Sequence, residues 1–198
     1  MTLNKPLILA SESPRRRDLL RQIGLTFTIV PSNVDESSVD CEKPQELVQT
    51  LAQMKASDVA KRNPDALVLG ADTTVVLGGE VVGKPNSEET ARKVLGRHSG
   101  SEHTVHTGFS LVHEASSRTT TGFATTRVTF GELTTAEIDA YVRSGSPMDK
   151  AGAYGYQDEM GPLFVQSIAG DYYNVIGLPI RSIYLALRRD FADLFVVQ

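Results

Sequence analysis

The segment Ser11-Glu12-Ser13-Pro14-Arg15-Arg16-Arg17 constrains this chain more than any other. It follows Leu7-Ile8-Leu9-Ala10, an apolar run with the length and composition of a short buried strand. Ser13 stands where an N-cap belongs and Pro14 in the first turn of a helix ending near Gly24, so the chain opens strand, turn, helix. Three arginines in a first helical turn add to the positive end of the macrodipole, a penalty of about 0.3–1 kcal/mol each unless something compensates. Two compensations are open. A phosphate could be held by the guanidinium forks and the free backbone N–H groups, or the turn could be solvated and paired with acidic neighbours such as Asp18.

Further along, a strand is predicted at 27–30 and a helix at 44–62 with Leu47, Leu51 and Met54 on its apolar face, stopped by Asn63-Pro64. Residues 66–69 form a buried strand, while 73–77 and 80–82 flank Gly78-Gly79, a pair suited to a tight hairpin. Ser87 caps a helix through Leu95 in which Glu88 faces Arg92. Long strands are predicted at 103–112 and 119–130, and Thr134 with Glu137 has capping-box spacing before a helix through Val142. A strand is expected at 161–168, and Leu178-Pro179 opens a final amphipathic helix to about Arg189. Hairpins interleaved with crossover helices predict an α/β fold with a mixed sheet and flanking helices. The 198 residues carry no repeat and suit one domain over 1–198.

The charge balance, 20 basic against 24 acidic residues, argues against a surface for duplex nucleic acid and leaves a small anionic ligand open. Cys41, the only cysteine, can form neither an intrachain disulfide nor a thiolate metal site. The opening apolar run, broken by Pro6, is too short for a signal peptide or a membrane span, so no membrane partner and a cytoplasmic location are expected.

Within Leu69-Gly70-Ala71-Asp72-Thr73-Thr74 the carboxylate follows an apolar run and is expected at a strand end or sharp bend. There it could bind metal, activate water, or merely hydrogen-bond a turn. Gly78 to Lys84 fits the first seven positions of a phosphate loop, but Pro85 replaces the required Ser or Thr and offers neither hydroxyl nor N–H. Lys84 could still reach a phosphate from another backbone arrangement. Among the four histidines, His103 and His106 are three apart on a strand and point to opposite faces, which favours surface or partly buried histidines over a zinc site. The glycine-rich stretch from Asp149 to Gln157 could approach a ligand or serve as a tight connector, and Gln157 can both donate and accept, as reading a base edge requires.

Taken in order, S-E-S-P-R-R-R at Ser11, G-A-D-T at Gly70, G-K-P at Gly83, D-K-A-G-A-Y-G-Y-Q at Asp149 and G-L-P at Gly177 resemble the Maf family of nucleotide pyrophosphatases over nearly the whole chain. The resemblance implies an α/β fold with a deep cleft, related to the inosine triphosphate pyrophosphatases (the Maf/Ham1 architecture). It also implies a homodimer in many members, a nucleoside triphosphate substrate and a divalent cation, Mg²⁺ or Mn²⁺. Thr73 and Gln157 are similar to the branch acting on dTTP and UTP.

By matching motif position, the resemblance makes Asp72 the proton acceptor and a metal ligand. Ser11, Arg15, Arg16, Lys55 and Lys84 become phosphate contacts, and Arg15, Thr73 and Gln157 set specificity. Glu36 becomes the second metal ligand, with Asp35 able to take the same role. The implied reaction is attack of water at the α-phosphorus, releasing pyrophosphate and leaving the monophosphate. Three rivals stand beside it: a phosphate-loop phosphatase, a non-catalytic nucleotide-binding regulator of cell division, and a 7-methyl-GTP pyrophosphatase.

Overall fold

The computed structural model describes residues 2–196. In chain order these form β1 (Thr2–Leu3), β2 (Leu7–Leu9), α1 (Pro14–Gln22), β3 (Thr28–Ile29), α2 (Pro44–Arg62), β4 (Leu67–Leu77), β5 (Glu80–Val82), α3 (Glu88–His98), β6 (Glu102–His113), β7 (Arg118–Phe130), α4 (Thr135–Arg143), α5 (Gly161–Phe164), β8 (Val165–Ala169), α6 (Tyr172–Ile176), α7 (Ile180–Asp190) and β9 (Phe195–Val196). One sheet has the order β3-β2-β4-β6-β7-β8 with β5 paired to β4, and β1 pairs β9 apart from it. Because β2 runs parallel to β3 and β4 while β5 and β8 pair antiparallel, the sheet is mixed and the α/β expectation holds.

The chain divides into two compact units: Met1–Asp72, Thr107–Ala124 and Gly177–Gln198 in the first, Thr73–His106 and Thr125–Ile176 in the second. In the first unit, Ile8, Ala10, Val68 and Val112 pack with Ala56, Val59 and Ala60 of α2. The buried stripe of α2 is Val48, Leu51, Ala52, Lys55, Ala56, Val59 and Ala60, which includes the predicted Leu51 but not the predicted Leu47 and Met54. The helix turns its small residues inward because its backbone lies directly on two strand glycines. A Cβ on Gly70 would come within 2.2 Å of the Ala52 carbonyl oxygen, and one on Gly108 within 2.3 Å of the Val48 carbonyl oxygen. Bulkier Leu47 and Met54 are left at the margin of that contact, half-buried.

A second correction concerns β4, which runs unbroken from Leu67 to Leu77. Asp72 therefore lies within a strand, not at a strand end or bend. Gly70 is small to admit the helix, not to turn the chain.

In the second unit the local signals operate as expected. Gly78 and Gly79, at φ +60° and +85°, turn β4 into β5 with Leu77 opposite Glu80. The Ser87 hydroxyl accepts from the Thr90 N–H, Arg92 bonds Glu88 at 3.0 Å, and Thr134 with Glu137 forms a full capping box. The segment 161–168 departs from expectation. Gly161–Phe164 is a helical turn with Pro162 in its first turn, and only then does β8 begin.

The histidines also require correction, since all four are buried instead of at the surface or partly buried. His98 and His103 sit among Phe130 and Tyr154, with ring centroids 4.3–5.5 Å apart, in the core formed with Val105, Val128 and Phe164. Their hydrogen bonds fix their tautomers. His98 Nε2 lies 3.0 Å from the Gly152 carbonyl, which only accepts, so Nε2 carries the proton and Nδ1 is bare. His103 Nδ1, 3.1 Å away, must then donate to it, leaving His103 Nε2 to accept from the Tyr154 hydroxyl at 2.7 Å. Burial holds both rings neutral, pushing His98 down to about 4 and His103 to about 3 from the usual 6.5.

Two measurements follow from this packing. Gly108→Ala, which forces a Cβ into the α2 backbone, is expected to lose about 1–3 kcal/mol or more in urea denaturation. Gly96→Ala, on the open face of α3, should gain about 0.5–1 kcal/mol and serves as the control. As for pH, the unfolded chain protonates His98 and His103 below about 6.5 while the folded chain does not until about 4 and 3, so stability is full above 6.5 and falls with acidification. The slope should approach about 1.4 kcal/mol per pH unit for each histidine. Denaturation midpoints that stay level from about pH 7 to about pH 5 would contradict it.

Candidate active site

The first unit collects most of the predicted residues at one edge of the parallel strands. Leu9 pairs with Leu69, and the Ala10 N–H donates to the Leu69 carbonyl at 2.8 Å, so the chain leaves β2 at Ser11 alongside Gly70 to Asp72. The connection through α1 goes to β3 on one side of β2, whereas β4 lies on the other. That is a topological switch point, where open α/β sheets leave a crevice beyond the carboxyl ends of the strands.

Ser13 occupies the N-cap position of α1, but its side chain makes no capping bond, contrary to the sequence-based expectation. Its N–H turns back to the Ser11 hydroxyl at 3.3 Å instead. The same hydroxyl accepts from Arg16 Nη1 at 3.0 Å, and Arg16 Nε donates to the Gly177 carbonyl at 2.9 Å. Gly177, at φ +117°, belongs to the first unit and explains why a glycine opens the G-L-P segment. The arginine triplet thus divides. Arg17 pairs with exposed Asp18 at 3.4 Å, as a solvated turn would, while Arg16 is locked by Ser11 and Gly177.

Lys55 is the centre of the site. It extends from the buried stripe of α2, and its Nζ lies 2.8 Å from Asp72 Oδ1 and 2.8 Å from Glu36 Oε1. Of the two acids in the loop, Asp35 caps the short 3₁₀ turn Glu36–Ser38, accepting from the Ser37 N–H at 3.0 Å and hydroxyl at 2.6 Å. Those bonds hold the Asp35 carboxyl below its usual range, and Glu36 is the acid turned toward Lys55. Desolvation lowers the Arg16 guanidinium, Asp72 and Glu36 oppose that shift, and Arg15 reinforces it, which places all four side chains within one electrostatic neighbourhood.

Two carboxylate oxygens converging on one ammonium form a place where a cation is already stabilised. Among the described residues no group of three or more His, Cys, Asp or Glu could hold a metal ion. Glu36 and Asp72 suit a hard divalent cation that takes its remaining ligands from water and phosphate oxygens, as Mg²⁺ does.

Thr73, Lys84 and Gln157 belong to the second unit. Lys84 and Gln157 are both exposed, and the segments that carry them are tied together, for the Gly152 N–H donates to the Gly83 carbonyl at 3.2 Å. The stretch holding Gln157 is pinned at its ends. Lys150 Nζ bonds the Ser146 carbonyl at 2.5 Å and lies 3.3 Å from Asp158 Oδ2, which also accepts from Tyr141 and Ser146. Gly155 N–H donates to the Tyr141 hydroxyl at 3.0 Å. Sequence reasoning missed Gly177, Lys150, Asp158 and His98 as supports; only the recurrence of D-K-A-G-A-Y-G and G-L-P as motifs marked their neighbourhoods.

Comparison with known proteins bears on this arrangement. The family model described as "Maf-like protein" matches residues 6–190. A protein of Salinibacter ruber named dTTP/UTP pyrophosphatase is 52% identical over 98% of this chain and 95% of its own length. One of the same name from Halalkalibacterium halodurans is 47% identical over 93% and 95%. Among solved structures, a HAM1 protein from Coxiella burnetii is 18% identical with a TM-score of 0.44, covering 65% of this chain and 74% of that one. Among the described residues no helix is long and apolar enough to cross a membrane.

Proposed function

Because the chain belongs to the Maf family, we propose that it is a nucleoside triphosphate pyrophosphatase, hydrolysing dTTP, UTP and related modified pyrimidine nucleotides to the monophosphate and pyrophosphate. The observation that carries the reading is the convergence of Glu36 and Asp72 on Lys55, with Arg16 in the same electrostatic neighbourhood. A site of that composition can hold a polyanion and a base side by side. In the same reading the enzyme works on free nucleotides in the cytoplasm, as a homodimer, and its formal charge of −4 is unsuited to duplex nucleic acid.

Arg15, Arg16 and Ser11 bind triphosphate oxygens at the N-terminus of α1, where the helix dipole and the guanidinium groups act in one direction. Lys55 and Lys84 supply further positive charge for the developing pyrophosphate. Asp72, its Oδ1 held by Lys55 and its position fixed within a strand, accepts a proton from the water that attacks the α-phosphorus. The new P–O bond forms as the bond to the bridging oxygen breaks, and the electron pair leaves with pyrophosphate. Glu36 and Asp72 would hold Mg²⁺ or Mn²⁺, whose chemistry here is to neutralise charge on the phosphates. Thr73 and Gln157, with Arg15, select the base by hydrogen bonding; a wrong base leaves a desolvated polar group unpaired at about 1–3 kcal/mol.

Asp72→Asn should lower kcat by at least about 100-fold while nucleotide still binds, and a loss of tenfold or less, about 1.4 kcal/mol, removes Asp72 from the central role. Product analysis separates the phosphate-loop alternative, because inorganic phosphate in place of pyrophosphate would refute attack at the α-phosphorus. Mn²⁺ titration in the presence of a non-hydrolysable triphosphate should weaken about tenfold or more in Glu36→Gln and little in Asp35→Asn, since Asp35 is spent on its own turn. For base choice, kcat/KM is expected to rank dTTP and UTP above CTP, ATP and GTP, with Gln157→Ala compressing the ranking by about ten- to a hundredfold. Equal losses for all five nucleotides would make Gln157 a general support.

A further inference from the structure

Two imidazoles stand in the core of the second unit with every ring nitrogen engaged, and neither is a residue to which the proposed reaction gives work. What they hold is one residue, Gly152, whose two flanking peptide units are both bonded. His98 donates to the Gly152 carbonyl, while the Gly152 N–H donates to the Gly83 carbonyl, the residue before Lys84. The backbone there is in an unusual conformation. Gly152 and Ala153 take positive φ in succession, +72° and +58°, and Ala153 is a fully buried non-glycine residue that adopts this region only when its surroundings impose it. A Cβ on Gly152 would lie 3.0 Å from Val75, so the peptide is also pressed against β4.

We infer that His98 and His103 are positioning residues that, through Gly152, fix the Lys84 segment and the Gln157 segment relative to each other. Tyr154 donates to His103, His103 to His98 and His98 to Gly152, a chain with a single direction set by the carbonyl at its end. Neutral rings suit the task, because a charged group buried among Phe130 and Tyr154 would demand a counter-ion, whereas two neutral rings satisfy each other. The end of the stretch bearing Gln157 is held separately, by Asp158 against Lys150, Tyr141 and Ser146. The inference rests on the proposed roles of Lys84 toward phosphate and Gln157 toward the base.

The test compares His98→Leu, which removes the donor, with His98→Gln, whose amide N–H restores one near the position of Nε2. Four quantities are read in the metal-loaded enzyme: KM and kcat for dTTP, the ratio of kcat/KM for dTTP over GTP, and the inhibition constant of inorganic tripolyphosphate, which has no base. His98→Leu is expected to raise KM and the tripolyphosphate constant about tenfold and to lower the dTTP:GTP ratio about tenfold, with kcat changed less than about threefold. His98→Gln should return all three to within about threefold of the wild type. A folded His98→Leu enzyme with wild-type KM and selectivity overturns the inference, and so does a loss of kcat and KM alike that His98→Gln does not rescue.

If His98→Leu does not fold, Tyr154→Phe removes only the terminal hydroxyl of the chain. It should move KM and selectivity in the same direction by about threefold, and unchanged values overturn the inference. Failure of the underlying reading looks different. Gln157→Ala with an unchanged dTTP:GTP ratio, or Lys84→Ala with an unchanged tripolyphosphate constant, dismisses that residue's role in an enzyme whose histidines are intact.

Discussion

The seating of α2 on the sheet is the contact on which the candidate site depends. Helix backbone rests on Gly70 and Gly108 with no room for a single carbon between them, and Ala52 and Ala56 of α2 stand at the contact with Gly70. At that distance the axis of α2 is fixed by hard contact and cannot drift. Lys55 leaves this stripe as its one charged member, so its ammonium is delivered to a defined point between Glu36 and Asp72. Burying that ammonium would be unfavourable without partners, and the two carboxylates supply them. A lysine suits the place better than an arginine, since a compact charge on a flexible stem can meet two acids from different elements at one point.

The charge distribution explains how an acidic chain can present an anion site. The formal charge of −4 describes the whole surface, but Arg15, Arg16 and Lys55 are gathered at the end of the parallel strands and the start of α1. Arg16 donates to two neutral oxygens, the Ser11 hydroxyl and the Gly177 carbonyl, which help to set its direction. Desolvation then makes that guanidinium a stronger attractor than an exposed one, because the field is not averaged by water. Arg17, by contrast, is exposed beside Asp18, and the same residue type there forms an ordinary surface pair.

The second unit solves a different problem with different groups. Its exposed Lys84 and Gln157 stand on irregular backbone, and irregular backbone needs partners for its N–H and C=O groups. Gly152 finds them in His98 and Gly83, and Gly155 finds one in Tyr141. Burial pushes the phenols of Tyr141 and Tyr154 up, so both remain neutral hydroxyls that can donate. The ionic part of the support, Lys150 with Asp149 and Asp158, sits at the ends of the stretch, and the neutral part lies at its middle.

Features governed by interactions within about four residues were legible in the sequence. The Gly78-Gly79 hairpin, the Ser87 cap, the Thr134–Glu137 capping box and the bounds of α2 are of this kind, because short-range hydrogen bonds and permitted dihedrals decide them. The ordered motifs also identified the family and marked Ser11, Arg16, Lys55 and Asp72 as belonging together. Which face of α2 turns inward, that Asp72 stands within a strand, that Glu36 and not Asp35 reaches Lys55, and that the histidines are buried were decided only by the tertiary structure. Each depends on partners distant along the chain: Lys55 meets Asp72 across 17 residues, His98 meets Gly152 across 54, and Arg16 meets Gly177 across 161. No local periodicity encodes such pairings, because close packing of elements brings them together and either side chain alone would suit many other partners.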